Sequence, residues 1–516
     1  RGQVYFRDGA NPSDLLPLAV NRTMRLVYAN PKQIKDPETV LQRLEKIVPF
    51  DHDATLAKLQ RSNDQYEPLL HNVPKEIADK IDLLNLTGIA TTPETSRFYP
   101  FADIASQVTG FVGYQGDARQ GQYGIEGYWD GQLSGAAGRL GGKDGNDASS
   151  ATLTEARNGD SLILTIDRTV QHAVCYKMSE AVQKHGADGG SVIVMKPDTG
   201  AIIALCNAPS FDANHYADTE NISVYSNSAI TDQFEPGSVM KTMTLSAALD
   251  QGLITPDSTY TDEGSVKIGK YTIRNSENKT YGVQTMSGVL EQSINTGAIF
   301  VAQKLGIEKF RDYVGRFGFG EQTGIELQGE GAGNISALEK KGDIYLATAS
   351  FGQGIAATPL QLLMAYAAIA NDGKLMKPYI VEERLGPNGY REKTEPTIVR
   401  QVISPAAARM MQSMLVNVVR KGHGKRAAVP GFYVAGKTGT AQVPLKDRAG
   451  YDPNRHIGTF VGMAPITKPE FVMVVKIIDP KDVQFAESSA APLFGDVASF
   501  LLKYYRITPD DQEATK

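Results

Sequence analysis

The stretch Ser191-Val-Ile-Val-Met195-Lys-Pro-Asp-Thr-Gly200-Ala-Ile-Ile-Ala-Leu205 decides the fold. Two runs of β-branched and aliphatic residues flank a Lys-Pro-Asp-Thr-Gly connection, the pattern of a β-hairpin. Upstream, Ser161-Leu-Ile-Leu-Thr165 reads as a strand and Arg168 to Lys184 as a helix. Far downstream, Phe432-Tyr-Val-Ala435, Gly458-Thr-Phe-Val461 and Phe471-Val-Met-Val-Val-Lys-Ile477 are three more strand candidates. Their connections are too short for parallel crossovers, so antiparallel neighbours are expected. Five strands thus come from the two ends of one domain, with a long helical insertion between them. Within it, Thr358-Pro359 opens a helix running to Asn371 before Gly373, and Ser404-Pro405 opens another ending at Lys421-Gly422. Residues 489 to 504 form a last amphipathic helix, and Thr508 to Lys516 a polar tail.

The character of the chain changes near residue 158. Before it, the first thirty or so residues look extended, as in Leu26-Val27-Tyr28. From about Pro37 to Leu84, and on to about residue 90, apolar residues at helical spacing (Val40, Leu41, Leu44, Ile47, Leu56, Leu59) predict a charged helical segment. Gly113 to Gly145 is rich in Gly, Gln and Asp and reads as loops and short strands. This first part holds no compact set of catalytic residue types. The expected organisation is a non-catalytic scaffold over 1–157, a catalytic domain over 158–508 and a tail over 509–516.

Composition narrows the classes of function. With 516 residues the chain should hold two to four domains. It is 41% apolar and 22% charged, which fits ordinary globular domains and excludes collagen-like, disordered and coiled-coil chains. Its net charge of −5 is spread without long like-charge blocks, so no nucleic-acid partner is indicated. Cys175 and Cys206 are too few for a disulfide framework or a thiolate metal site. They could pair, but the stronger expectation is two small buried apolar residues. The chain opens on Arg1, and no apolar run approaches the roughly 18 residues that a spanning helix needs.

The chemistry is expected at Glu235-Pro-Gly-Ser238-Val-Met-Lys241. Pro and Gly force a turn, which places Ser238 at the start of a helix with Lys241 on the same face. A serine hydroxyl needs a base, and a lysine serves as one only when burial or a second cation disfavours its charge. A helix-capping serine followed by a surface lysine explains an isolated S-x-x-K equally well. Ser276-Glu-Asn-Lys279, with the same spacing in a polar stretch, reads as such a loop. What lifts Ser238 is the ordered set that follows. Ser293-Ile-Asn295 lies between two helical runs, and Lys437-Thr-Gly-Thr440 ends the strand Phe432 to Ala435. Alone, Asn295 could cap a helix and Lys437 could be an edge charge. Together the three motifs are a strong signal.

In these motifs the chain resembles the penicillin-binding proteins, the acyl-serine transferases of cell-wall synthesis. The likeness extends to Ser350-Phe-Gly-Gln-Gly-Ile-Ala-Ala-Thr-Pro-Leu-Gln361, Gly436-Lys-Thr-Gly-Thr-Ala-Gln442, Thr459-Phe-Val-Gly-Met-Ala-Pro465 and Val192 to Gly200. Arg1-Gly2 with Arg7-Asp8-Gly9, Arg97-Phe-Tyr-Pro100 and Gly124-Ile-Glu126 resemble the amino-terminal pedestal of the class B, monofunctional branch. Ser293-Ile-Asn-Thr-Gly-Ala298 is closer to the septal than to the elongation members. There are two departures. Arg7-Asp8-Gly9 follows Arg1-Gly2 at one residue more than the family pattern, which reads as a loop. His423, in Lys421-Gly-His-Gly424, stands where the family more often has Thr.

The resemblance implies an α+β transpeptidase domain with a five-stranded antiparallel sheet flanked by helices, on an elongated pedestal. By it, Ser238 is acylated, Lys241 is its base, Ser293 shuttles the proton and Asn295 holds the substrate amide. Lys437 supplies positive charge, Thr438 and Thr440 bind the terminal carboxylate, and the N–H groups of Ser238 and Thr440 form the oxyanion hole. The donor stem, ending in D-Ala-D-Ala, lies as an extra strand beside Gly436, Gly439 and Thr440. No metal or cofactor is required. The implied partners are peptidoglycan stem peptides, β-lactams, and a membrane glycan polymerase of the shape, elongation, division and sporulation type with its division or elongation machinery. The implied location is the extracytoplasmic side of the membrane, with one anchor helix upstream of Arg1. A D,D-carboxypeptidase or serine β-lactamase using water as acceptor is the main alternative, and a non-catalytic β-lactam sensor or scaffold a weaker one.

Overall fold

The computed structural model describes residues 1–9, 11–115, 118–136, 138–141, 152–445 and 450–510. Compactness divides the chain at Pro100. One unit is Ala19–Pro100 with Arg1, and the other comprises Gly2–Leu18 and the chain from Phe101 onward.

In the first unit the strand Asn11–Ala29 pairs antiparallel with Ile89–Phe98, from Val20 opposite Phe98 to Ala29 opposite Ile89. The expected helical segment is broken. Helices Pro37–Glu45, His52–Leu59 and Lys75–Asp82 form, but Glu67–Val73 is a strand that also pairs with Asn11–Ala29. Helical spacing of apolar residues fails there because Pro68 lacks a backbone N–H for a helix interior and a sheet edge is available to the segment. Leu41, Leu44, Leu59, Ala78 and Ile81 are buried under this sheet.

The second unit is built on one five-stranded antiparallel sheet. Helix α1 (Arg168–Lys184) leads into the hairpin β1 (Gly189–Met195) and β2 (Ile202–Ala208). The insertion follows, with helices α2 (Lys241–Asp250), α3 (Met286–Glu291), α4 (Asn295–Leu305), α5 (Pro359–Ala370) and α6 (Pro405–Lys421). Strands β3 (Ala435–Pro444), β4 (Tyr451–Ala464) and β5 (Phe471–Ile478) and helix α7 (Ala490–Tyr504) complete the unit. The order β2-β1-β5-β4-β3 places β3 at an edge, and central β5 pairs with a strand from each end of the domain. One face (Val192, Val194, Phe460, Met473, Val475) packs on α1 and α7 through Val174, Met178, Phe494 and Leu501. Helix α5, begun by a Thr358–Gln361 capping box, is buried along its whole length.

Four expectations need correction. The insertion is not wholly helical, since Thr259–Asp262 pairs with Gly282–Thr285 and Ser265–Ile268 with Tyr271–Arg274. The extra residue before Gly9 makes no loop; it lies in the strand Val4–Asp8, whose parallel pairing with Ser161–Asp167 shifts register between Tyr5 and Arg7. The polar tail starts later than expected, because the Asp510 carboxylate accepts from Tyr433 N–H at 2.8 Å; residues 511–516 lie outside the described residues, as do 142–145 of the expected Gly-rich loops. Finally, Cys175 and Cys206 form a disulfide, which ties α1 to β2. Sequence separation could not show that α1 crosses β2 at that point.

The bridge closes a segment with a sequence separation of 31. Chain-entropy arguments give such a cross-link about 3.7 kcal/mol. The Cys175→Ser/Cys206→Ser protein should therefore melt several degrees below the native protein in a thermal scan. Adding reductant should lower only the native protein.

Candidate active site

Ser238 lies in the 3₁₀ turn Gly237–Met240, and Lys241 is the first residue of α2. The turn is wedged between two backbones. On one side Gly237 N–H donates to Gly352 O at 3.1 Å, and a Cβ on Gly352 (φ +84°) would sit 2.2 Å from Gly237 O. On the other side a Cβ on Gly439 would lie 2.8 Å from Pro236 O. Glycine at both positions is therefore needed to seat the serine turn against the edge strand. Tyr366 supports it from beneath: its hydroxyl donates to Val239 O at 3.0 Å and lies 2.8 Å from Thr242 Oγ1. Glu235, just before the turn, accepts from Gly354 N–H at 2.8 Å and from the Tyr451 hydroxyl at 2.9 Å. Burial raises the Glu235 pKa.

The second motif converges on the same place. Ser293 has φ +55°, a left-handed backbone that costs a non-glycine residue about 1 kcal/mol and tends to be kept at functional sites. This turn brings its carbonyl and its hydroxyl towards one ammonium group. Lys241 Nζ donates to Ser293 O at 2.5 Å, to Asn295 Oδ1 at 2.8 Å and to Ser293 Oγ at 3.2 Å. Asn295 is therefore no helix cap. Its Nδ2 donates to Arg274 O at 3.0 Å, which fixes the amide orientation. From the edge strand, Lys437 Nζ donates to the same Ser293 Oγ at 3.0 Å and to Thr438 O at 3.1 Å. One serine oxygen thus bridges two lysines.

Both lysines are fully buried. Among the described residues neither has a carboxylate within hydrogen-bonding distance. Burial pushes the Lys241 pKa well below the usual lysine value, and the nearby charge of Lys437 pushes it further the same way. Burial lowers Lys437 to about 7, against an opposing pull from Glu487. Thr438 is buried beside Lys437, and Thr440 Oγ1 accepts from Ala486 N–H at 3.1 Å.

Sequence reasoning missed the supports behind these residues. Asp262, buried, accepts from Thr296 Oγ1 (2.5 Å), Tyr281 N–H (2.7 Å) and Asn275 Nδ2 (3.0 Å), and Asn275 Oδ1 accepts from Thr296 N–H (3.1 Å). The small strand pairs of the insertion thereby lock the residue after Asn295. Nothing in the sequence marked Asp262. Tyr366 did leave a signal, as the one hydroxyl in the otherwise aliphatic run Leu362 to Ala370. Ser276, of the second S-x-x-K, is exposed in a short 3₁₀ segment, and Lys279 pairs with Glu277 at 2.6 Å.

A serine at a helix start, three residues before a lysine whose charged form is disfavoured by burial and by a second lysine on a glycine-containing sheet edge, is the arrangement of a candidate acyl-serine transferase site. The comparisons agree. A model of the penicillin-binding protein transpeptidase domain matches residues 190–499, and one of the penicillin-binding protein dimerisation domain matches residues 1–164. The chain belongs to the penicillin-binding proteins, in their class B branch. Stage V sporulation protein D of Bacillus subtilis is 32% identical over 100% of this chain and 80% of its own length. The peptidoglycan D,D-transpeptidase FtsI of Escherichia coli K12 is 31% identical over 99% and 84%. A crystal structure of penicillin-binding protein 3 of Mycobacterium tuberculosis, complexed with aztreonam, superposes with a TM-score of 0.73 at 30% identity, covering 81% of this chain and 92% of that one.

The electrostatic coupling makes a testable statement. A lysine serves as a base only when neutral, so acylation that depends on Lys241 should fall as pH drops through its lowered pKa. Replacing Lys437 by Met removes a cation that lowers that pKa, so the acid limb of the pH profile should move to higher pH. Lys437→Arg, which keeps the charge, should leave the limb in place.

Proposed function

We propose that the protein is a peptidoglycan D,D-transpeptidase that cross-links stem peptides through an acyl-serine on Ser238. The observation that carries this reading is the fully buried Lys241, held by Ser293 and Asn295 without a carboxylate. Neutral Lys241 takes the Ser238 proton as the oxygen attacks the carbonyl of the penultimate D-Ala. The developing oxyanion is held by the N–H groups of Ser238 and Thr440. The proton passes through Ser293 to the leaving nitrogen, and the last D-Ala departs. An amine of a neighbouring stem then attacks the ester and forms the cross-link, restoring Ser238. Thr438 and Thr440 bind the donor carboxylate, and the donor lies along Gly436 to Thr440 as an added strand beyond β3, whose outer edge has no neighbour among the described strands. Asn295 holds the stem amide. Lys437 contributes a charge that attracts the carboxylate and biases Lys241 towards neutrality.

In this reading residues 1–157 are a pedestal and 158–508 the transpeptidase domain, a division that the matched ranges 1–164 and 190–499 support. The role is septal wall synthesis beside a membrane glycan polymerase and division proteins. The catalytic domain works on the extracytoplasmic side, tethered by a membrane anchor that is not part of this chain. The disulfide Cys175–Cys206 supports that location, since such bridges persist in oxidising compartments. No helix of the described residues is long and apolar enough to cross a membrane.

Brief exposure to penicillin should add one drug-sized adduct to the intact protein by mass spectrometry, on the peptide containing Ser238. Ser238→Ala should abolish it and Ser276→Ala should keep it. Lys241→Ala should slow acylation by about 10²–10⁴-fold. With donor stem and an amine acceptor, dimers should form; release of D-Ala without dimers would indicate a hydrolase, and rapid turnover of the drug a β-lactamase.

A further inference from the structure

His423, which departs from the family pattern, does not sit idle at the surface. It follows α6, and its N–H donates to Glu291 O at 3.3 Å, at the end of α3 and two residues before Ser293. Its side chain, 41% exposed, reaches the other way. Nδ1 donates to Glu487 Oε2 at 2.9 Å, and Glu487 belongs to the loop between β5 and α7. One residue earlier in that loop, the Ala486 N–H donates to Thr440 Oγ1 at 3.1 Å. This contact has a chemical consequence. With a lone pair of Thr440 occupied by Ala486, the hydroxyl proton is left to point at an incoming acceptor. The loop runs close over the strand, since a Cβ on Gly458, opposite Thr440 in register, would lie 3.3 Å from Ala486 Cα.

We propose that His423 and Glu487 form a clasp across the rim of the site that holds Ala486 against Thr440, making both of them positioning residues for carboxylate binding. His423 is fixed at its backbone to the segment that carries Ser293, and Glu487 is fixed in sequence to the residue that orients Thr440. Their contact therefore sets the distance between the two walls of the cleft. Glu487 also lies near enough to Lys437 for its charge to favour the ammonium form. The ligand class served is an anionic peptide terminus or its β-lactam mimic. This inference rests on the reading in which Thr440 binds that carboxylate.

The test is stopped-flow acylation by benzylpenicillin, separating the binding constant K from the acylation rate k2. An exposed hydrogen bond from an imidazole to a carboxylate predicts that His423→Ala and Glu487→Gln each raise K about two- to fivefold, with the stoichiometry of acylation unchanged in both and k2 unchanged in His423→Ala, which leaves the Glu487 charge near Lys437 in place. The double variant should be no worse than either single one, because both remove the same contact. His423→Lys, which places a donor opposite Glu487, should restore most of the loss. Glu277, the other carboxylate whose charge reaches His423, is already paired with Lys279; Glu277→Gln should leave K unchanged. A wild-type K in both single variants overturns the clasp, as do additive effects in the double variant or an equal effect of Glu277→Gln. A fall in k2 of His423→Ala, or in the active fraction of either variant, marks general damage and also counts against it. Peptide mapping of the wild-type adduct keeps the two readings apart. An adduct away from Ser238 sinks the proposed function, whereas an adduct on Ser238 with unchanged K sinks only the clasp.

Discussion

The site depends on removing two lysine side-chain nitrogens from water without giving either a hydrogen-bonded carboxylate among the described residues. A buried lysine is expensive when charged, and a carboxylate partner would relieve that cost by stabilising the cation. Here the partners of Lys241 are a carbonyl, a hydroxyl and an amide oxygen. Such dipoles hold the nitrogen in place but stabilise its charge less than an ion pair would. Lys437, sharing Ser293 Oγ, makes the charged form of Lys241 costlier still. The outcome is a lysine that is positioned like a structural residue and protonated like a weak base.

Much of the remaining architecture follows from that requirement. Lys241 stays dry because α2 is buried from Lys241 to Leu249. Ser293 meets both lysines because its backbone is left-handed, and the Asp262 network holds the neighbouring Thr296 while Leu290 and Ile294 are buried in the core. Lys437 reaches inward because β3 alternates its side chains, so that Lys437 and Gly439 face the serine turn. The two wedging glycines then fix how near the strand and the turn approach. Each element taken alone is ordinary; their common purpose is to keep water from one nitrogen.

The sequence exposed the sheet, the long helices and the three motifs because each rests on local signals. Runs of β-branched and aliphatic residues mark β1 and β2, Thr358 and Ser404 cap their helices, and Pro-Gly before Ser238 announces a turn. What stayed hidden depends on contacts between distant segments. The strand Glu67–Val73 exists because a sheet edge is available to it, which overrides the helical spacing around it. The disulfide needs α1 to cross β2 at one point. Asp262 is buried only because four later residues or backbone groups, from Gly264 to Thr296, turn back to satisfy it. His423 stood out as a departure, but its partner Glu487 is distant in sequence and no spacing rule connects them.

The sheet is assembled from β1 and β2 near residue 200 and from β3, β4 and β5 after residue 434. Pairings of such long range raise contact order and slow folding, because loop closure must precede the contacts that reward it. A chain synthesised or exported from its amino terminus therefore presents Ser238 and Lys241 long before Lys437 emerges. Until β3 docks, Lys437 does not share Ser293 Oγ, and its charge cannot disfavour the charged form of Lys241. The meeting of the two lysines at Ser293 is therefore completed only when the sheet closes.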